Sequence, residues 1–190
     1  MKVLMTNNHV LNVNAIKPGE TIKFSINNDN KYYNISFDKS RRTYTNKSYD
    51  VTIIEIKEED KINEISFFDL DKQIYKENSN EIFRNKQIYL LHYPKGTEME
   101  ISLGVIKTLS KDNQKIEHLC DTSGGSSGSP LINKDNFQVI GIHKGGAEGA
   151  KNYNLGTLLK KPIEQFKQEI QKKENKKDNN NTNVNHYLIM

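Results

Sequence analysis

Short runs in which apolar and polar residues alternate dominate the first part of the chain. Thr21–Ile26 and Tyr32–Phe37 alternate with a period of two, and a polar stretch, Asn27–Asn30, separates them. Because side chains on a strand point alternately to opposite faces, this pattern predicts two strands joined as a hairpin. Lys2–Met5 and Val51–Ile56 are more continuously apolar, and they predict two further strands.

The second part of the chain contains the same kind of short, strand-like run. Turn residues separate these runs from one another. The segments that predict strands here are Gln87–Tyr93, Glu98–Leu109, Lys115–Leu119, Pro130–Asn133 and Phe137–His143. Frequent short strands without intervening helices are typical of an all-β domain and not of a βαβ sheet.

A helical pattern occurs only near the C-terminus. Ile163, Phe166 and Ile170 recur at spacings of three and four, which places them on one face of a helix over about 162–171. The sequence then becomes KKENKKDNNNTNVN, which is too polar to bury a core. We therefore predict a disordered, Lys/Asn-rich tail over 172–190.

These elements predict an all-β fold with one C-terminal helix. A length of 190 residues fits one domain, or two small lobes around one cleft. We expect a domain over 1–171, made of an N-terminal lobe over about 1–75 and a C-terminal lobe over about 85–160.

Composition bears on several classes of function. The formal net charge of +4 is spread along the chain without a basic stripe that contains aromatic residues, so nucleic-acid binding is not predicted. No apolar run approaches the roughly 18 residues that a membrane helix needs, and no signal segment is evident. The single cysteine, Cys120, cannot form an internal disulfide, which favours a reducing, cytoplasmic location.

The most informative stretch is rich in glycine and serine. It reads DTSGGSSGSP over Asp121–Pro130, and its glycines allow a tight turn in which peptide N–H groups converge. Ser127 lies at the centre of this turn. A serine hydroxyl is a poor nucleophile at neutral pH, so it needs a base within hydrogen-bond reach and a group that orients that base. His9 and Asp50 are the candidates.

Three segments carry a resemblance to a known family. Gly125–Pro130 resembles the G-x-S-G-[GS]-P motif of trypsin-like serine peptidases, Thr6–Leu11 resembles their T-x-x-H box, and Tyr49–Ile54 resembles their aspartate-containing strand. The spacing of the three boxes is similar to that of the glutamyl endopeptidase branch. The resemblance implies two six-stranded antiparallel barrels and hydrolysis of a peptide or protein substrate without metal or cofactor.

The resemblance also implies roles for individual residues. Ser127 attacks the carbonyl, His9 takes and returns the proton, and Asp50 fixes the tautomer of the imidazole. The N–H groups of Gly125 and Ser127 form the oxyanion hole. Ser126 occupies the position where secreted trypsins carry an aspartate that binds the new N-terminus, so that form of zymogen activation is not expected.

Two resemblances point to different substrate specificities. His143, with Thr122 and Gly145, resembles the lining of the glutamyl endopeptidase specificity pocket, which implies an acidic or amide side chain before the scissile bond. Asp121 lies six residues before Ser127, like the pocket-floor aspartate of trypsin, which implies Lys or Arg. We favour the acidic or Gln interpretation, and both stay open at this point.

Other interpretations of these residues are weaker. Ser126 also fits a G-x-S-x-G elbow, with Asp135 and His143 following in the order of α/β-hydrolases, but a hairpin follows it here and not a helix. We interpret His92 and His118 as structural. His143 could likewise be a hydrogen-bonded core histidine, and Cys120 a small buried residue.

One feature departs from the family pattern. In the two-barrel fold two strands precede the one that delivers the histidine, whereas eight residues precede His9. We expect the first barrel to be incomplete, with exposed edges that can pair with another chain. An alternative function is therefore a catalytically weakened or inactive module that binds a peptide by strand addition. Oligomeric state is not predicted.

Overall fold

The computed structural model describes residues 1–26, 31–62, 67–110, 112, 114–147, 149, 152–174 and 186–189. Its strands are β1 (Lys2–Thr6), β2 (Thr21–Ser25), β3 (Tyr32–Ser36), β4 (Thr43–Asn46), β5 (Val51–Ile56), β6 (Gln87–His92), β7 (Glu100–Leu109), β8 (Lys115–His118), β9 (Pro130–Asn133), β10 (Val139–Gly146), β11 (Asn154–Leu158) and β12 (His186–Ile189). Its α-helices are α1 (Ser79–Phe83) and α2 (Lys160–Glu174), and short 3-10 turns cover Glu58–Asp60, Lys72–Tyr75 and Pro94–Gly96. The predicted turn at Asn27–Asn30 lies outside the described residues.

The N-terminal lobe is an open arrangement of two sheets. One sheet has the strand order β12-β1-β5-β4, and β2 and β3 form a separate antiparallel pair. Tyr33 and Ile35 of β3 are buried while their neighbours along the strand are exposed, as the alternating pattern predicts. The predicted all-β class with an incomplete first barrel is thereby confirmed.

The C-terminal lobe is a closed six-stranded barrel with the order β10-β11-β8-β7-β6-β9, and all its neighbouring strands are antiparallel. Aliphatic side chains such as Ile88, Leu90, Leu131 and Ile142 are fully buried. Gly156 lets β11 approach β10, because an added Cβ there would lie 2.9 Å from the carbonyl oxygen of Ile142.

The C-terminal tail differs from its prediction. Residues 172–174 continue α2, and the four residues of β12 pair in parallel with β1, from Lys2 opposite His186 to Met5 opposite Ile189. Without β12, β1 would expose a row of unpaired main-chain N–H and C=O groups, and such an edge recruits any available strand. Residues 175–185, also predicted to be disordered, lie outside the described part of the chain.

One hydrophobic cluster spans the two lobes, and a second cluster lies within the N-terminal lobe. Val3 and Ile53 of the first lobe belong to the same buried cluster as the barrel residues and the apolar face of α2. Tyr44 packs on Phe166 with ring centroids 6.4 Å apart, and its hydroxyl donates a hydrogen bond of 2.7 Å to Gln165. Helix α2 therefore holds the lobes in a fixed relation.

A buried ion pair organises the edge of the N-terminal lobe. The guanidinium of Arg41 makes two hydrogen bonds of 2.8 Å to the carboxylate of Asp60, and the side chains are 2% and 3% exposed. Arg41 also donates to the main-chain carbonyls of Ser36 and Glu55. One side chain thus joins the end of β3, strand β5 and the turn that follows it.

Breaking the Arg41–Asp60 pair should destabilise the protein far more than breaking an exposed pair. Asp60→Ala leaves a buried guanidinium without its counter-charge, which costs about 3–5 kcal/mol. Lys86→Ala is the control, because Lys86 and Asp135 lie 2.6 Å apart with side chains 40% and 61% exposed, and exposed pairs contribute about 0–1 kcal/mol. Urea unfolding measures both; equal losses would contradict the role given to Arg41.

Candidate active site

His9 lies in a tight turn directly after β1. The main-chain carbonyl of Asn7 accepts hydrogen bonds from the N–H groups of Val10 and Leu11, at 3.2 and 3.0 Å, which ends the strand and turns the chain. The side chain of His9 is 49% exposed. An imidazole in this position is held at the surface of the lobe and accessible to solvent.

Asp50 occupies the turn between β4 and β5 and faces His9. Its carboxylate accepts a hydrogen bond of 2.9 Å from the main-chain N–H of His9 and lies 2.8 Å from Nδ1 of the same residue. Asp50 is 5% exposed and has a φ of 56°, a left-handed conformation that Asp tolerates better than bulky residues. The contact places the proton of a neutral His9 on Nδ1 and leaves Nε2 as a base.

Asn7 holds the main chain of Asp50 and so supports the pair of His9 and Asp50. Its side-chain amide donates a hydrogen bond of 2.9 Å to the main-chain carbonyl of Asp50, and Asn7 is fully buried. Its Oδ1 atom has no hydrogen-bond partner among the residues that the structure describes. Sequence reasoning missed Asn7, although its place within the T-x-x-H box was the signal that could have identified it.

The serine loop, Ser123–Ser129, turns on two glycines with positive φ. Gly125 has a φ of 93°, and a Cβ there would lie 2.7 Å from the carbonyl oxygen of Tyr93, so only glycine fits. Gly128 has a φ of 86° and donates a hydrogen bond of 3.0 Å to the carbonyl of His143. The N–H of His143 donates to Ser129 at 2.8 Å. The two residues that follow Ser127 are therefore fixed to β10.

Two N–H groups of this loop are available to a ligand. Within the described part of the chain, the main-chain N–H groups of Gly125 and Ser127 donate to no acceptor. Ser127 itself is half-buried, and Gly125 is exposed. The N–H groups of Gly125 and Ser127 are two residues apart in a tight turn. Together they can bind a single oxygen that carries negative charge.

Two buried histidines lie behind the loop. Nε2 of His118 is 3.1 Å from Nδ1 of His143, and the residues are 0% and 2% exposed. Burial, then the neighbouring His143, lowers the pKa of His118 to about 3. Burial, with smaller effects of His92 and His9, lowers the pKa of His143 to about 4. Both imidazoles are neutral at pH 7.

Hydrogen bonding fixes the tautomers of this pair. The main-chain N–H of Cys120 donates to Nδ1 of His118 at 3.3 Å, so the proton of neutral His118 is on Nε2. That proton is donated to Nδ1 of His143, which leaves the proton of His143 on its own Nε2. The pair therefore presents one N–H donor from His143.

The remaining predicted pocket residues differ in exposure. Thr122 and Gly145 are half-buried. Asp121 is exposed, and its main-chain N–H donates to the Ser102 hydroxyl at 2.8 Å. Its carboxylate is therefore at the surface.

Known proteins resemble this chain in sequence and in fold. A model of the trypsin-like peptidase domain matches residues 2–142. The chain belongs to the trypsin-like serine peptidase family.

Relatives and solved structures agree with this family. The glutamyl endopeptidase of Staphylococcus aureus strain MW2 is 31% identical over 172 residues, covering 85% of this chain and 51% of the relative. The serine endoprotease from Yersinia pestis has a TM-score of 0.63 at 14% identity, covering 88% of this chain and 53% of its own. The HtrA-type protease AlgW with decapeptide has a TM-score of 0.61 at 16% identity, covering 88% and 48%. This peptidase-family chain spans about half the length of the curated relatives it matches.

The interior of the chain also contains polar contacts that the sequence did not indicate. The hydroxyl of Ser126 lies 2.8 Å from Nδ1 of His92 in the interior. In the hydrolase interpretation Ser126 would be an exposed nucleophile, yet its side chain is fully buried. Asp135, the acid of that interpretation, pairs with Lys86 at the surface.

Metal-binding clusters, membrane-spanning helices and reactive thiols are the other functional features that concern the described residues. These residues include no group of three or more His, Cys, Asp or Glu side chains that could hold a metal ion. No helix among them combines the length and the apolar character that a membrane span requires. Burial raises the pKa of the Cys120 thiol to about 12, so the thiolate is not available as a nucleophile at neutral pH.

The stability of this protein should fall as the pH is lowered from about 6.5 to 5, above the range in which exposed carboxylates titrate. The folded state keeps His118 and His143 neutral, whereas the unfolded chain binds protons near pH 6.5. Because the unfolded state then binds more protons, each histidine contributes a loss of up to about 1.4 kcal/mol per pH unit. Urea unfolding across this range gives the slope.

The His118→Gln variant tests whether the buried histidine pair causes this pH dependence of stability. The Gln amide keeps a donor toward His143 and removes one titrating group, so the pH slope should become shallower. An unchanged slope in this variant would show that the buried pair is not its source.

Proposed function

We propose that this chain is a serine endopeptidase in which Ser127, His9 and Asp50 form the catalytic triad. The observation that carries the proposal is the 2.8 Å contact between Nδ1 of His9 and the carboxylate of Asp50. A buried carboxylate on Nδ1 orients an imidazole and stabilises its protonated form, as a general base next to a serine requires.

The position of His143 supports the approach of His9 to the serine loop. His9 is close enough to His143 for its charge to lower the pKa of that residue. The main chain of His143 is bonded to Gly128 and Ser129, directly after Ser127. These two relations support the proposal that the base of the first lobe acts on the nucleophile of the second.

The chemistry then follows from the roles of these groups. Nε2 of His9 takes the proton of the Ser127 hydroxyl as the oxygen attacks the peptide carbonyl, and the carbonyl oxygen gains the negative charge. The free N–H groups of Gly125 and Ser127 stabilise that charge. The His9 imidazolium gives its proton to the departing amine, and an acyl-enzyme remains. Water activated by His9 then releases the acid and restores the hydroxyl.

Glutamate or glutamine is the side chain that we propose before the scissile bond. The Nε2–H of His143 is a neutral donor that suits a carboxylate or a side-chain carbonyl oxygen, and it has no acceptor role to offer a cation. Asp121 is exposed and lacks the buried setting that an ion pair with substrate Lys or Arg would use. The name of the Staphylococcus aureus relative points in the same direction.

A second function is favoured by the open N-terminal lobe. Its strands form two separate sheets, so strand edges remain available to an added peptide. A module of this kind would bind a peptide in the cleft without forming a covalent intermediate.

A serine-directed fluorophosphonate should label the parent protein and decide between the two functions. Ser127→Ala should abolish labelling, and His9→Ala should slow it by about 10³-fold or more because the hydroxyl loses its base. Ser123→Ala is the matched control, since it removes an exposed hydroxyl of the same loop and should label normally. A folded parent that takes up no label would support the binding module.

Peptides that differ only before the scissile bond should separate the two specificities. We expect kcat/KM for Glu and Gln to exceed that for Lys and Arg. His143→Phe should lower kcat/KM for Glu and Gln by about 10- to 100-fold, the effect of losing one hydrogen bond to a charged or polar group. Efficient cleavage after Lys or Arg alone would reject the role of His143.

A further inference from the structure

One hydrogen bond between two buried side chains lies directly beside Ser127. The Ser126 hydroxyl is 2.8 Å from Nδ1 of His92, and the residues are 0% and 4% exposed. We propose that His92 is a positioning residue that acts through Ser126 to hold the serine loop in its reactive conformation. The consequence for catalysis rests on the proposed function.

The Ser126 side chain closes the loop on itself. Its hydroxyl oxygen accepts the main-chain N–H of Ser123 at 3.1 Å, and the N–H of Ser126 donates to the carbonyl of Ser123 at 3.1 Å. Two reciprocal bonds therefore span the turn that contains Gly124 and Gly125. Because Ser126 and Ser127 share a peptide bond, a rotation of Ser126 redirects the N–H of Ser127.

His92 anchors the second support of the loop. It is the last residue of β6, and the turn that follows it lies against the serine loop. The N–H of Lys95 donates to the carbonyl of Gly124. The carbonyl of Tyr93 approaches Gly125 so closely that a Cβ there would clash with it. The hydrogen bond between His92 and Ser126 thus joins the start of this turn to the serine loop.

The protons of the contact can all be assigned. The Ser126 oxygen already accepts one N–H, so its proton is free to be donated to Nδ1 of a neutral His92. Removal of either side chain leaves the other group buried without its partner. An unpaired buried group costs free energy, and a rearrangement of the loop that pairs it again becomes favourable.

The effect on catalysis follows from how accurately the N–H donors of the oxyanion site must be placed. Donors must lie about 2.7–3.1 Å from the charged oxygen of the transition state, and a displacement of about 1 Å can reduce the rate 10²-fold. The substrate contact proposed for His143 of β10 does not involve the Ser126 side chain. Loss of the contact should therefore lower kcat and leave KM nearly unchanged.

The activity test uses the full chain and four variants. Ser126→Ala and His92→Leu should each lower kcat by about 10- to 100-fold with KM within about 3-fold. His92→Asn keeps a hydrogen-bonding group near the position of Nδ1 and should recover most of the rate. The double variant should lose no more than the worse single one, because the two side chains act as one unit.

Ser79→Ala is the matched control. Ser79 is also a fully buried serine, but it lies in α1 and its hydroxyl has no partner among the described residues. Its loss should leave kcat and KM unchanged. Values of kcat within twofold of the parent for folded Ser126→Ala, or fully additive losses in the double variant, would overturn the proposal.

Hydrogen exchange tests the same contact without relying on activity. Amide exchange in peptides covering Ser123–Ser129 should be faster in Ser126→Ala and His92→Leu than in the parent or in Ser79→Ala. If the parent protein does not react with the fluorophosphonate, the proposed function is wrong. The comparison of amide exchange rates still tests the contact between His92 and Ser126 in that case. Unchanged exchange in both variants would overturn the role of His92.

Discussion

The hydrogen bond from the Thr157 hydroxyl to the main-chain carbonyl of Tyr49, 2.6 Å long, ties the two lobes together one residue before Asp50. The proposed nucleophile comes from the second lobe, and its base and acid come from the first. Their meeting therefore depends on contacts between lobes and not on either lobe alone. The packing of Tyr44 on Phe166 and the ion pair between Arg42 and Glu174 add to this tie farther from the cleft.

Buried polar side chains of the second barrel orient the residues of the proposed active site. His118 sets the tautomer of His143, and Ser126 with His92 braces the loop that carries Ser127. Buried polar groups of this kind contribute little net stability, but each fixes one arrangement because the alternatives leave a group unpaired. Aliphatic residues supply the stability of the barrel, and these few contacts set the direction of the reactive groups.

The sequence predicted those features that are encoded locally. Alternation predicted β3 and its buried Tyr33 and Ile35, and three motifs in the right order identified His9, Asp50 and Ser127 as candidates. Strands β4, β11 and β12 were missed. TYTN in β4 and NLGTL in β11 have little apolar periodicity and form through pairing with their neighbours.

Contacts between distant residues could not be predicted in this way. The pairing of β12 with β1 joins the two ends of the chain, and no local pattern in either segment specifies its partner. Asn7, His92 and Ser126 likewise look like ordinary polar residues until the fold places Asp50 or the serine loop beside them. Their roles depend on tertiary geometry, to which propensity and periodicity are blind.

A crystal structure of the fluorophosphonate-treated protein would show whether residues from the two lobes meet around one serine. The account predicts phosphorus bonded to Oγ of Ser127, with its phosphoryl oxygen between the N–H groups of Gly125 and Ser127. It also predicts Nε2 of His9 within about 2.6–3.2 Å of the adduct. An adduct on another residue, or an imidazole of His9 turned away from Ser127, would contradict the account.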